Sequence, residues 1–267
     1  MGGFPPPDAD GRRLSDHRSP ERYEIHYASP WDIPEYVARG SVDLGITGRD
    51  IVREGDARVR ERMALPFGYC RLSLAAASGH VVDRPEEIPP GARVATSYPR
   101  LVRQYFRSLG RQIEIVPTRG AVEVAPRIGA AEFIADLVET GRTLRDNELK
   151  LLGSILESQA VLIGPAGSSR PGAGTERLRE IEIALRSVVA AEGRRCLVAR
   201  IPRDRISEIS GWLHPSDAPT VAELVGGGPE VALQAVIPEE GLDRLLGRLR
   251  RAGARAIMVL PLQRVIP

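Results

Sequence analysis

Short apolar runs that break abruptly into turns of glycine and hydroxyl residues constrain this chain most. Ala135-Asp136-Leu137-Val138 gives way to Glu139-Thr140-Gly141-Arg142-Thr143-Leu144, Val42-Asp43-Leu44-Gly45-Ile46 runs into Thr47-Gly48-Arg49-Asp50, and Arg93-Val94-Ala95-Thr96 into Ser97-Tyr98-Pro99. Each reads as a strand feeding a turn. Helical spacing follows, as in Leu101, Val102, Tyr105, Phe106 and Leu109, closed by Gly110. Alternating strand and helix signals predict an α/β fold with parallel sheets, in which ligands collect at the C-terminal ends of strands.

The Asp136 strand carries the clearest chemistry. A strand ending at Val138 delivers Thr140, Gly141 and Thr143 to a turn whose backbone N–H groups and hydroxyls can surround a phosphate, helped by the start of the next helix. Asp136 beside that turn suits the two hydroxyls of a ribose better than a second anion, so a sugar phosphate is the first ligand to consider. The spacing matches neither the Gly-x-Gly-x-x-Gly dinucleotide pattern nor the P-loop, and a bare loop of this kind is more often an ordinary strand-to-helix turn.

Composition narrows the class. Apolar residues make up 42% and charged residues 27%, with net charge +2, which is ordinary for a globular enzyme and provides no nucleic-acid footprint. Lys150 is the sole lysine among 37 basic residues, and acids are interspersed with the arginines, so no basic stripe emerges. No apolar run reaches the length of a membrane span and no signal peptide is visible, which predicts a cytoplasmic protein. Cys70 and Cys196 are isolated thiols, and His17, His26, His80 and His214 are scattered, so no metal ligands can be named.

Residues 1–21, rich in proline and charge, read as a flexible lead-in. Tyr23 to Tyr27 alternates like a strand, Asp32 and Pro34 open a short helix closed by Gly40, and Arg71 to Ala76 reads as a strand leaving a first lobe. The loop through Pro85, Pro89, Pro90 and Gly91 marks a boundary. Lobe I is expected over residues 22–91 and 166–193, and lobe II, with the phosphate turn, over 92–165. Within lobe II the run Gly120 to Pro126 is followed by an expected helix before the Asp136 strand. Ser168 to Gly174 reads as a joint, and Glu176 to Ala191 as an amphipathic helix. Residues 194–267 alternate strand, helix, strand, helix and strand, a ferredoxin-like arrangement of β-α-β-β-α-β type or a shortened version of it.

Taken together, Asp32-Ile33-Pro34-Glu35-Tyr36-Val37, Asp43 to Gly48, Ala95 to Pro99, Val122-Glu123-Val124-Ala125-Pro126 and Asp136 to Leu144 resemble the ATP phosphoribosyltransferases that open histidine biosynthesis. The unit ending Gly253 to Pro261 resembles the regulatory domain of that family's long form. The resemblance runs from about residue 22 to the C-terminus. It implies a two-lobed catalytic part like a type 2 periplasmic binding protein, with a C-terminal ferredoxin-like (ACT-like) regulatory domain. It also implies dimers that associate into hexamers. The implied reaction joins N1 of ATP to C1 of phosphoribosyl pyrophosphate (PRPP), expels pyrophosphate, and uses Mg²⁺ held through substrate phosphates and water.

By that resemblance Glu139, Thr140, Gly141, Arg142 and Thr143 hold the 5-phosphate of PRPP, while Asp136 and Glu123 take the ribose hydroxyls. Thr47, Gly48 and Tyr98 are candidates for ATP or pyrophosphate. Ala218 and Thr220 belong to a turn expected to meet histidine as inhibitor. The residues also admit blander readings: Glu123 as a solvated strand-end charge, Tyr98 as a half-buried aromatic at a helix start. Two departures stand out. Family members begin with a strand, a glycine-containing loop and a helix, of which Arg12-Arg13-Leu14 resembles only the end, so lobe I is expected to be incomplete. Arg200 stands where the family usually offers Asn or Asp to the inhibitor. A non-catalytic binding or regulatory protein on the same scaffold is the competing expectation.

Overall fold

The computed structural model describes residues 15–16, 24–167, 173–213 and 218–266. Most of the proposed lead-in, the Ser168 to Gly172 part of the joint, His17 and His214 lie outside the described residues. The chain divides into two compact units, residues 7–171 and the C-terminal 172–267.

The first unit holds two larger sheets. A three-stranded sheet has the order β3-β10-β4, from β3 (Gly45–Gly48), β4 (Val59–Ala64) and β10 (Ala160–Pro165), and all its pairings are antiparallel. Against it packs α1 (Ile33–Ala38), started by Pro34 in its first turn. Its Val37 is buried with Val161 and Ile163. Gly45 is required here, because the Ile33 methyl occupies the space a Cβ would fill. A short antiparallel pair, β1 (Ser15–Asp16) and β2 (Ile25–His26), precedes it, and α2 (Arg49–Glu54) follows β3 directly.

The five-stranded sheet has the order β7-β6-β8-β5-β9. It comprises β5 (Cys70–Ala77), β6 (Arg93–Thr96), β7 (Glu114–Pro117), β8 (Phe133–Val138) and β9 (Leu149–Ser158). On one face α3 (Pro99–Ser108) buries Val102 and Phe106 against Leu72, Leu74, Phe133 and Ala135. On the other face Ile134 and Val138 pack with Val122, Ala125 and Leu144, the last from α4 (Arg142–Asp146). Side chains alternate across a strand, so Asp136 shares the face of Ile134 and Val138.

Four expectations are corrected. The sheets are not wholly parallel: β6 runs parallel to β7 and β8, but β5 is antiparallel to β8 and β9. The lobe boundary does not fall at residue 91, because β5 lies inside the five-stranded sheet and is buried along Leu72 to Ala76, whereas β10 returns to the three-stranded one. The chain therefore crosses between sheets twice, after β4 and after β9. No helix follows Pro126: after a 3-10 turn at Val122–Val124 the chain runs through turns to β8, with Gly129 at φ +72°. Residues 172–193 belong to the C-terminal unit rather than to lobe I, and within that unit the Ser187 carbonyl accepts from the Val265 N–H at 2.8 Å.

That second unit opens with α5 (Ala173–Ala191) and continues through β11 (Arg194–Pro202), α6 (Ile206–Ser210), β12 (Thr220–Glu223), β13 (Glu230–Pro238), α7 (Leu242–Arg251) and β14 (Arg255–Pro261). The order β12-β13-β11-β14, antiparallel throughout, is the full β-α-β-β-α-β ferredoxin-like sheet. Alternate residues Leu197, Ala199 and Ile201 of β11 and Val231, Leu233, Ala235 and Ile237 of β13 build its core with Ile209 and Leu249.

Candidate functional site

The end of β8 opens into a cavity of about 420 Å³. Its lining includes Asp136 and Glu123 as well as Glu139, Thr140, Gly141, Arg142 and Thr143, so three carboxylates and the whole hydroxyl-glycine turn face one volume. Gly141 sits at φ +72°, the left-handed region that favours glycine, and it precedes the first residue of α4. No side chain caps that helix, and the N–H groups of a first helical turn have no acceptor within the helix. The turn is braced by the Arg145 N–H, which donates to the Gly141 carbonyl at 3.2 Å.

Asp136 is half-buried, and its Oδ1 accepts from the Leu137 N–H at 2.8 Å. Burial pushes its pKa above the ordinary carboxylate value, and the Glu123 charge pushes the same way, against the lowering effect of the Leu137 bond. Oδ2 is thus left to meet a ligand. Two acids close enough to repel one another favour hydroxyl donors or a cation between them. Among the described residues no group of three His, Cys, Asp or Glu side chains is arranged to hold a metal. Asp136, Glu123 and Glu139 line the cavity without being gathered into a ligand set, so a hard cation there would depend on substrate phosphates and water.

Thr47, Gly48 and Tyr98 are not part of this lining; Thr47 and Gly48 are engaged at the end of β3, and Tyr98 bonds across to Asp50 at the start of α2. Buried Thr47 donates its hydroxyl to the Pro30 carbonyl at 2.8 Å. Tyr98, 4% exposed, donates to Asp50 Oδ2 at 2.7 Å, and Ser158 donates to Asp50 Oδ1 at 2.5 Å. Burial first, and then the Asp50 contact, drives the Tyr98 pKa well upward. Gly48 admits no side chain because the Asp50 carboxylate folds over it. Alongside, Glu54 of α2 accepts from the Arg100 and Leu101 N–H groups at 2.8 and 2.9 Å, capping α3 from the other sheet. In the C-terminal unit Ala218 and Thr220 are exposed at the start of the edge strand β12, and Arg200 is exposed in β11.

The sequence profile described as ATP phosphoribosyltransferase matches residues 29–187, and the one described as HisG, C-terminal domain, matches 191–264. The chain belongs to the ATP phosphoribosyltransferase family. It is 36% identical to the ATP phosphoribosyltransferase of Methanocaldococcus jannaschii over 96% of this chain and 90% of that one. Its identity to the enzyme of Methanopyrus kandleri is 37%, over 96% and 89%. Among solved structures, the ATP phosphoribosyl transferase (HisG:HisZ) complex from Thermotoga maritima superposes with a TM-score of 0.55 at 28% identity, covering 61% of this chain and 78% of that one.

As an ATP phosphoribosyltransferase the chain is a transferase of histidine biosynthesis, which does not favour the non-catalytic alternative. No described helix is long and apolar enough to cross a membrane. Sequence reasoning missed three further members of the cavity lining, Gly68, Tyr69 and Cys70. Gly68 and Tyr69 precede β5 and Cys70 is its first residue, and the antiparallel pairing of β5 with β8 brings this end beside the turn. Burial pushes the Cys70 thiol above its ordinary pKa, so it is a poor nucleophile.

Proposed function

We propose that the chain transfers the phosphoribosyl group of PRPP to ATP within the β8 cavity, as the first step of histidine biosynthesis. N1 of the adenine bonds to C1 of the ribose, the C1–oxygen bond to pyrophosphate breaks, and pyrophosphate leaves with that electron pair. The leaving group is already good, so the protein's work is to hold two polyanions in line and to stabilise charge as it separates. Thr140 to Thr143 cradle the 5-phosphate, with Gly141 letting the backbone approach and Arg142 adding positive charge. Asp136 and Glu123 bind the ribose hydroxyls and, as anions near C1, favour the cationic character that develops there. Mg²⁺, held by substrate phosphates and water, would neutralise charge on the departing pyrophosphate.

The observation that carries this reading is the convergence on one cavity of three carboxylates and a left-handed glycine turn. The C-terminal unit serves assembly, from dimer to hexamer, and holds histidine through the Ala218 to Thr220 turn. Arg200 repels the amino group of that inhibitor, so feedback is weak. The enzyme works in the cytoplasm. Incubating the purified chain with ATP, PRPP and Mg²⁺ and following the absorbance of N1-substituted adenine tests the assignment. Growth of that band only when both substrates are present is expected; its absence, with PRPP bound normally, would return the chain to the class of non-catalytic binders.

A further inference from the structure

We propose that Tyr69 is the platform on which the adenine of ATP stacks, a positioning residue for the attacking N1. The proposal rests on the assignment of the phosphate turn made above. Tyr69 is 57% exposed, yet it lines the same cavity as Asp136 and Thr140 and is the only aromatic side chain in that lining. Of the two substrates only ATP brings a flat aromatic ring. An aromatic face left open at the mouth of a polar cavity gains most from such a partner, because stacking covers apolar area without asking for a hydrogen bond.

The backbone fixes where the ring stands. In the pairing of β5 with β8, Arg71 is level with Val138 and Leu72 with Leu137. The pairing ends there, and Tyr69, two residues before Arg71, and Thr140, two residues after Val138, lead away from these facing strand ends and line the same cavity. The preceding turn is held on the end of β10 by reciprocal bonds. The Leu65 N–H donates to the Ala160 carbonyl at 2.9 Å and the Ala160 N–H to the Phe67 carbonyl at 3.0 Å. Gly68, at φ +68°, the left-handed region that favours glycine, makes the reversal that follows. The ring is therefore presented from a braced turn, so little ordering is needed when a base lands on it.

Tyr69→Ala, Tyr69→Phe and Tyr69→Trp separate stacking from other roles. At saturating PRPP and Mg²⁺, Y69A should raise KM for ATP about 5-fold to 100-fold. KM for PRPP, and PRPP affinity by calorimetry, should stay within about twofold. Y69F and Y69W should restore the ATP value, and the fluorescence of Y69W should be quenched by ATP but not by inorganic phosphate. An unchanged KM for ATP in Y69A, or a Y69F as impaired as Y69A, would overturn the platform while leaving the phosphate turn in place. Failure of the parent protein to bind PRPP would instead remove the site assignment, and the platform with it.

Discussion

Replacing Asp136 with asparagine should separate catalysis from folding. One carboxylate oxygen is committed to the Leu137 N–H at 2.8 Å, and an asparagine oxygen can accept the same bond, so the strand end keeps its local structure. What disappears is the charge on the second oxygen. Loss of one charge-assisted hydrogen bond costs about 1.5–3 kcal/mol, or about 10-fold to 150-fold in kcat/KM. Stability should move the other way. Because burial and Glu123 raise the folded pKa above the ordinary 3.8, ionised Asp136 is penalised in the folded state. The penalty is absent below the unfolded value and grows as pH rises through the raised one. Asp136→Asn removes it, so near neutrality the variant should unfold at a urea concentration no lower than the parent's, and the gap between the two should close on acidification. Steady-state kinetics and urea titrations at several pH values check both halves. Unchanged kcat/KM would refute the ribose assignment, and a variant destabilised at neutral pH but not in acid would refute the electrostatic reasoning.

Tyr98→Phe removes one of two hydroxyl donors to buried Asp50 and should cost about 1–3 kcal/mol by urea denaturation, with PRPP affinity little changed; a marked fall in that affinity with stability intact would instead make Tyr98 a ligand contact. Gly141→Val has room for its Cβ, which meets Arg145 Nη1 only at 3.5 Å, but it must hold φ near +72° at a cost of about 1–2 kcal/mol. It should abolish PRPP binding by calorimetry, and normal titration would contradict the cradle. Truncation after Pro171, the boundary between the compact units, should leave a cooperatively folded, PRPP-binding protein that no longer assembles into hexamers. Unchanged assembly size by light scattering would move the contacts into the first unit.

Elements with clear periodicity and a turn signal at an end were legible from sequence: strands β6 and β8, helix α3 and the whole order of the C-terminal unit except β12. The Asp136 turn was legible as a turn, because a hydroxyl-glycine run directly after an apolar strand breaks the chain there, with Gly141 at φ +72°; its ligand role came from the resemblance. Strands β4, β9 and β10 were not, since their apolar residues carry no turn signal that tells an antiparallel return from a helix. Missing them hid both crossings between sheets, and with them the fact that β5 lies beside β8. Thr47, Gly48 and Tyr98 follow the same logic. Strand-end hydroxyls and glycines look alike whether they face a ligand or a neighbouring sheet, and the long-range bond from Tyr98 to the buried Asp50 carboxylate carries no signal in the local sequence.

The most direct test of the central claim is a crystal structure of the protein with PRPP and Mg²⁺. The account predicts 5-phosphate oxygens within hydrogen-bonding distance of the Thr140 to Thr143 N–H groups, and ribose hydroxyls on Asp136 and Glu123. PRPP seated elsewhere in the first unit, with the turn after β8 empty, would contradict it.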